Sequence, residues 1–295
     1  MSNQLNVLIT GATSGFGRQT AQKLASDGHQ VFATARGVNG KNADSAKDLE
    51  QWANDRKLNI KVVELDVSNE ESVNKAVSSI LKEASHLDVV VNNAAIVGLG
   101  PIEAYSMDQI KAMYNTNVFG SLRVIQAVLP GMRKRKSGLI IQISSVGGRT
   151  YLPFHGIYNS TKWAVESISE GLNYELAEYG IDSVTIEPGA FNTEIMGKFG
   201  TPDNTKIEEE YAVFNKAKEV MFGRMMGTIT ADDAPGPVWI ADAIKKLVDM
   251  PAGSRPVRTV VGEAATGGVR KLNEAQVVAQ RQHLEALGLD SWNKN

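Results

Sequence analysis

The sequence predicts a doubly wound α/β domain, a parallel sheet covered by helices on both faces. Three observations carry that expectation. Short runs rich in Val and Ile alternate with longer segments of helical periodicity. The runs are mostly apolar on both faces, as strands buried between two helical layers must be. No internal repeat, low-complexity tract or linker divides the chain.

In chain order, the first strand is expected at Asn6–Thr10, followed by a glycine-rich turn and a helix over Gly17–Asp27 with Ala21, Leu24 and Ala25 at helical spacing. Strands follow at Gln30–Ala35 and Lys61–Asp66. A helix over Glu71–Ala84 carries Val73, Ala76, Val77, Ile80 and Leu81 along one face. Further strands are expected at Val89–Asn92 and Leu139–Ser144. The sharpest helix is Tyr158–Tyr179, with Thr161, Val165, Ile168, Leu172 and Leu176 as its inner stripe and Gly180 as its stop. Strands at Ser183–Glu187 and Thr259–Val261 complete the sheet.

Two regions break the rhythm. Phe191–Thr230 is an insertion with the acidic run Glu208–Glu210 and scattered Met and Phe, placed where a substrate lid belongs. The tail from Gly262 to Asn295 holds a polar helix candidate at Leu272–Leu287 and has no evident place in the fold. The whole chain, 1–295, reads as one domain, with 191–230 as lid and 262–295 as a C-terminal extension.

With 295 residues, 42% hydrophobic and 22% charged, the composition is that of an ordinary globular protein. A net charge of −2 gives no reason to expect nucleic acid or an anionic membrane as partner. Cysteine is absent, which excludes disulfides, thiolate nucleophiles and cysteine metal sites. No His and carboxylate cluster has metal-ligand spacing, so no metal is expected. The N-terminus lacks the pattern of a cleaved leader, and no apolar run approaches the roughly 18 residues of a membrane span, so the expectation is a soluble cytoplasmic protein.

The segment Thr10-Gly11-Ala12-Thr13-Ser14-Gly15-Phe16-Gly17 joins the first strand to the first helix. A pyrophosphate sits on backbone amides only where side chains leave room, and a helix N-terminus adds partial positive charge. A tight turn without ligand would need similar glycines, so the motif gains weight from its place between strand and helix. Here the chain resembles the short-chain dehydrogenase/reductase family, whose shorter branch carries Thr-Gly-x-x-x-Gly-x-Gly. The resemblance implies a Rossmann-type fold and assigns the nucleotide to Gly11, Thr13, Ser14, Gly15, Phe16 and Gly17. It runs from Leu5 to about Pro188; beyond Thr193 only the strand near Arg258–Gly262 is familiar.

The end of the second strand points to the cofactor. An NAD-selective site places a carboxylate there for the ribose hydroxyls; this chain has Ala35 and then Arg36, whose guanidinium suits a 2′-phosphate. NADP(H) is expected over NAD(H), the other reading of Arg36 being a solvated surface residue. Asp66 and Val67 match the family's adenine contacts, although Asp66 could equally belong to a helix N-cap region with Ser68 as cap. Asn92-Asn93-Ala94-Ala95 resembles the family's Asn-Asn-Ala-Gly, which places Asn93 and Ala94 beside the cofactor and gives Asn92 a structural tie. Pro188, Gly189 and Thr193 match the family's nicotinamide contacts; a turn and a helix cap are the alternative. Arg18 is read as a surface pairing residue.

For the chemistry, a carbonyl reductase must give a proton to oxygen as hydride reaches carbon. A tyrosine can do so near neutral pH when its ordinary pKa of about 10 is lowered by a nearby ammonium. Tyr158-Asn159-Ser160-Thr161-Lys162 puts a phenol and an ammonium one helical turn apart, and Ser145 precedes Tyr158 by thirteen positions. Tyr and Lys at this spacing are common by chance; the strand-end serine is what lifts the pair. The resemblance makes Ser145 the substrate's hydrogen-bond partner and Tyr158 the acid/base. It makes Lys162 the group that holds the ribose and lowers the phenol. Asn117, in Asn115-Thr116-Asn117-Val118-Phe119-Gly120, matches the family's helix position whose backbone holds a water.

The expected activity is hydride transfer between nicotinamide and a ketone, aldehyde or alcohol. Val97, Leu99, Val146, Phe154, Phe191 and the lid suggest a fairly apolar substrate. The resemblance also implies a homodimer or homotetramer built through the helices of Asn117 and Tyr158. Two rivals stand beside this reading: an epimerase or dehydratase of the sugar-nucleotide branch, disfavoured by the glycine spacing, and a non-enzymatic cofactor sensor, which would have no need of an acid/base. His155 reads as a polar loop residue, Arg133-Lys134-Arg135-Lys136 as a solvated helix end, and Met221, Met225, Met226 and Phe222 as lid packing.

Overall fold

The computed structural model describes residues 4–197, 199–232, 234, 236–263, 266–289 and 292. Residues 264–265, 290–291 and 293–295 of the expected C-terminal extension, and 198, 233 and 235 in and after the expected lid, lie outside them. Seven parallel strands form one sheet in the order β3-β2-β1-β4-β5-β6-β7. They are β1 (Asn6–Thr10), β2 (Gln30–Ala35), β3 (Ile60–Glu64), β4 (Val89–Asn92), β5 (Gly138–Ile143), β6 (Ile181–Pro188) and β7 (Arg258–Val261). The order reverses between β1 and β4, and that switch point opens a crevice beyond the carboxyl ends of the strands.

Side-chain alternation divides the core into two layers. Val7 and Ile9 of β1 pack with α1 (Gly15–Ser26) and α9 (Val238–Asp249) on one face. Leu8, between them, packs with α3 (Glu70–Ala84) and α5 (Gly120–Arg135) on the other. Helices α2 (Ala43–Asp55), α4 (Met107–Tyr114) and α9 lie where no helix was expected from the sequence, and α5 ends at the basic run expected to close a helix.

The third strand ends at Glu64, so Asp66 lies in the following turn. There its carboxylate accepts from the amide and hydroxyl of Ser68, at 2.9 and 2.6 Å. Ser68 is thereby committed, and the cap of α3 is Asn69, which accepts from the Ser72 amide at 2.9 Å.

The helix expected over Tyr158–Tyr179 is α6 (Gly156–Glu175), followed by a 3-10 turn to Tyr179 and by Gly180 at φ +61°. Its inner stripe is not the apolar one expected. Thr161, Val165 and Leu176 are buried as foreseen, but Asn159, Lys162, Glu166, Ser169 and Asn173 are buried as well, while Ile168 and Leu172 are half-buried. The cause is β6, whose facing side chains are also polar. Ser169 and Ser183 hydroxyls meet at 3.1 Å, and Thr185 donates to Glu166 at 3.2 Å.

The insertion folds as α7 (Thr205–Glu210) and α8 (Asn215–Ile229) with short 3-10 turns. It is strapped to the segment after β4: Leu99 N–H donates to Gly200 O at 3.0 Å, Gln109 donates to Thr201 O at 2.8 Å, and Ser106 donates to Asp203 at 2.9 Å. The tail forms α10 (Thr266–Ala286), beginning six residues earlier than its polar pattern suggests, and it packs on β7.

Candidate active site

The glycine-rich turn is shaped by close approach. Gly11 and Gly15 adopt φ +65° and +52°, a region costly for side-chain-bearing residues. A Cβ on Gly17 would lie 2.5 Å from Gly11 O and 2.6 Å from Asn93 Nδ2, so only glycine lets α1 begin here. Thr13 is buried, Ser14 and Phe16 half-buried, and Ser14 caps nothing with its own side chain. The Gly15 amide instead donates to Glu194 Oε2 at 3.0 Å. A carboxylate from the start of the insertion thus stands where the helix terminus favours an anion, as a phosphate oxygen would. The turn fits a dinucleotide on that observation.

Asn93, not Asn92, is the structural tie. Its amide donates to Thr10 O at 2.8 Å and Gly11 O at 3.0 Å, while the buried Asn92 amide has no hydrogen-bond partner among the described residues. Ala94 sits beside Gly11, its N–H donating to the Thr10 hydroxyl at 3.0 Å. Val67 is buried, with its carbonyl taken by Arg123 at 3.1 Å. Gly189 N–H continues the sheet to Val261 O at 2.8 Å, after Pro188 ends β6. Thr193 lies beside Gly15, so the turn and the segment after β6 close on each other.

At the far end of the crevice, Arg36 is exposed, and its guanidinium makes no ion pair among the described residues. Burial works to raise the Asp66 carboxyl, but the Ser68 bonds and the Arg36 and Lys41 charges hold it below its ordinary value. The sequence reading overlooked Glu64. Its carboxylate accepts from the amides of Gly37 and Val38 at 2.7 and 2.8 Å and fixes the turn that carries Arg36.

Beyond β4 and β5, Ser145, Tyr158, Lys162 and Asn117 converge. Ser145 hydroxyl accepts from Gly147 N–H at 3.0 Å. Lys162 Nζ lies 5.7 Å from the Tyr158 ring centroid and donates to Ile143 O at 2.8 Å. Asn117 sits in a π-turn over Asn115–Phe119, a device that recurs at functional sites. Its side chain pairs with both backbone groups of Ile96, at 2.8 and 2.9 Å, and with the Thr161 hydroxyl at 3.0 Å. Asn117 therefore braces the residue next to Lys162 and does not touch the lysine through its side chain.

One electrostatic expectation is corrected. The phenol is not lowered by the protein alone: burial pushes Tyr158 up to about 12, with Ser145 opposing. Burial also lowers Lys162 to about 8, opposed by Glu166. Desolvation disfavours both charged forms, and it outweighs the attraction between them at this separation.

Two aromatic assignments change. Phe191 belongs to the core, edge-on to Phe16 at 5.4 Å, and not to the substrate mouth. His155, read as a loop residue, is buried, with its ring 6.3 Å from Tyr158 and 5.9 Å from Phe199. Phe154 takes φ +64°, rare for a bulky side chain, and meets Phe214 of the lid at 6.3 Å. Arg18 pairs with Asp48 at 2.5 Å, a surface role as read.

The short chain dehydrogenase family profile matches residues 5–204. A 3-ketodihydrosphingosine reductase of Bacteroides thetaiotaomicron is 37% identical over 258 residues, 87% of each chain. Human 17-beta-hydroxysteroid dehydrogenase type 1 is 34% identical over 71% of this chain and 64% of its own length. Among solved structures, a short-chain dehydrogenase from Streptomyces avermitilis superposes with a TM-score of 0.77 at 30% identity, covering 97% of this chain and 98% of that one. A serine dehydrogenase complexed with NADP+ does so at 0.72 and 26%, over 88% of this chain and 95% of that one. With the glycine turn, the serine–tyrosine–lysine cleft and these matches agreeing, the chain belongs to the short-chain dehydrogenase family.

Proposed function

We propose that the protein is an NADP(H)-dependent oxidoreductase that interconverts a ketone or aldehyde and an alcohol on a large apolar skeleton. The observation that carries this reading is Lys162 Nζ lying 5.7 Å from the Tyr158 phenol ring, with Ser145 just past the fifth strand beside them at the open end of the sheet.

Bound NADPH supplies the hydride and, once oxidised, a positive charge beside the phenol. Every other part of the step falls to the chain. Ser145 donates to the substrate oxygen and fixes the carbonyl in line with the nicotinamide. The Tyr158 hydroxyl delivers its proton to that same oxygen. A phenol pushed up to about 12 is fully protonated at neutral pH, which suits it to the reductive direction. Lys162 holds the ribose hydroxyls and, as ammonium, steadies the phenolate left behind. That requires it protonated, so the rate falls as pH rises through about 8.

NADP(H) is favoured because Arg36 is unpaired and exposed beside Ala35, with Glu64 holding its turn. Apolar substrates are favoured by the aromatic rings of Phe154, Tyr211 and Phe214, with Phe199 against His155 and with Val97 and Leu99 bonded to the neighbouring Gly200. Relatives named for ketodihydrosphingosine, retinol and 17-beta-hydroxysteroid chemistry support the same substrate class.

A panel of long-chain and steroidal ketones, read by loss of NADPH absorbance, tests the reading. Turnover on apolar ketones is expected in the wild type, and Tyr158→Phe should lose at least about 10²-fold while still binding NADPH. Unchanged turnover in that variant would remove Tyr158 from the mechanism.

A further inference from the structure

The first helix takes its cap from across the crevice, and hydride transfer makes no use of that contact. Helix α1 is 12 residues long, has no acidic residue in its first turn and receives no side-chain bond from its N-cap residue, Ser14. Capping is ordinarily local, supplied by the residue just ahead of the helix. Here the Gly15 amide donates instead to Glu194 Oε2 at 3.0 Å, 179 residues further along the chain. The contact needs the bare glycine: a Cβ at Gly15 would stand 3.6 Å from that oxygen and 3.8 Å from Thr193 Cβ, on a backbone already at φ +52°.

The segment that carries Glu194 is anchored on both sides, and the carboxylate between the anchors is not. Phe191 is buried in the core and stands edge-on to Phe16 at 5.4 Å. Gly200 N–H donates to Val97 O at 2.9 Å, and Gly200 O accepts from Leu99 N–H at 3.0 Å. Glu194 is exposed, and the Gly15 amide is the sole hydrogen-bond partner of its carboxylate among the described residues. A cavity of about 350 Å³ adjoins it, with Arg18, Gln19, Asn192 and Pro237 on its walls. The side chain therefore has room to turn aside while its backbone stays in place.

Two anions cannot share one amide. In a sheet of this kind the pyrophosphate of a dinucleotide is held by the amides that open the first helix, where the helix adds partial positive charge. Glu194 already fills that place with a charge of the same sign.

We infer that Glu194 is a built-in competitor for the cofactor pyrophosphate: its carboxylate holds the Gly15 amide in the free protein and turns into the adjoining cavity when a dinucleotide binds. The inference rests on the dinucleotide-binding reading given above. Glu194 has no part in the chemical step; it stabilises the free protein, so affinity for the dinucleotide falls by the same factor. The effect is to loosen the cofactor in a molecule that must release its nucleotide after each turnover.

Isothermal calorimetry on the full chain reads the competition, with NADPH, NADH and adenosine 2′-monophosphate as probes; the last has no pyrophosphate. Glu194→Gln keeps the shape of the side chain and its ability to accept from the Gly15 amide but removes the charge. It should tighten both dinucleotides by about 2- to 5-fold, the worth of a charge at a helix N-terminus, and leave adenosine 2′-monophosphate unchanged. Glu194→Ala removes the cap as well; it should tighten them at least as much and lower the thermal midpoint of the nucleotide-free protein. Both substitutions fall on an exposed side chain, so the fold is retained. A static cap gives a different pattern, with the midpoint lowered in Glu194→Ala and dinucleotide affinity unchanged or weaker in both variants. That pattern would overturn the inference, as would equal tightening of adenosine 2′-monophosphate. The ketone panel can fail, or NADH can prove the better nucleotide, without touching these ratios; wild-type protein that binds neither dinucleotide would end both readings.

Discussion

Arg36 and Glu64 show how much of a binding site rests on residues far apart in sequence. Arg36 was legible because cofactor choice reads from one position, the end of the second strand. Glu64 was not, since a glutamate closing the third strand gives no sign that it will take the Gly37 and Val38 amides. The same holds for Glu194, which reaches the Gly15 amide from 179 residues away. Tyr158, Lys162 and Ser145 were legible because helix geometry and a fixed spacing bring them together. Their electrostatics were not, because desolvation belongs to the folded cleft and not to the spacing. At this scale Arg36→Gln should weaken NADPH by about 10- to 100-fold, the worth of a charge-assisted phosphate contact, and leave NADH nearly unchanged. Fluorescence titration with both nucleotides checks it; equal losses would remove Arg36 from phosphate recognition.

At the scale of elements, parallel strands were the easiest to read, since burial on both faces leaves continuous apolar runs. Helices fared worse. In α6 the inner stripe is polar, because β6 offers Ser183, Thr185 and Glu187 to pair with, and no hydropathy pattern announces such a layer. The mid-helix glycines are not alike either. A Cβ at Gly171 of α6 meets nothing within 4 Å, whereas one at Gly17 strikes the backbone at Gly11 O. Gly171→Ala should therefore stabilise by up to about 1 kcal/mol through helix propensity. Gly17→Ala should destabilise by about 1–3 kcal/mol through overpacking and should weaken nucleotide binding as the turn shifts. Chemical denaturation of the two variants separates the cases; equal effects would contradict the packing argument.

For the molecule as a whole, the parallel sheet between helical layers and the siting of chemistry at strand ends follow from the βαβ rhythm, while the strand order with its β1/β4 switch is seen only in the fold. What the rhythm does not carry is the cover: an insertion strapped to Leu99, Ser106 and Gln109 and a C-terminal helix bonded to a charged layer both depend on long-range pairs. Assembly belongs to this scale too. We propose pairing through the α5 and α6 faces, where Phe119 and Trp163 are about half exposed, at 49% and 46%. Light scattering should give a multiple of 31.9 kDa, falling to that mass in a Phe119→Asp, Trp163→Glu double variant. A monomeric wild type would refute the pairing.

In the mechanism proposed above, hydride and proton reach one substrate carbonyl together, the proton from Tyr158. Single-turnover reduction of an apolar ketone with NADPH deuterated at the transferring position of the nicotinamide tests it most directly. Deuterium should appear at the carbinol carbon in the wild type, with transfer slowed at least about 10²-fold in Tyr158→Phe at saturating nucleotide. A product carrying solvent hydrogen at that carbon, or transfer in the variant at the wild-type rate, would contradict it.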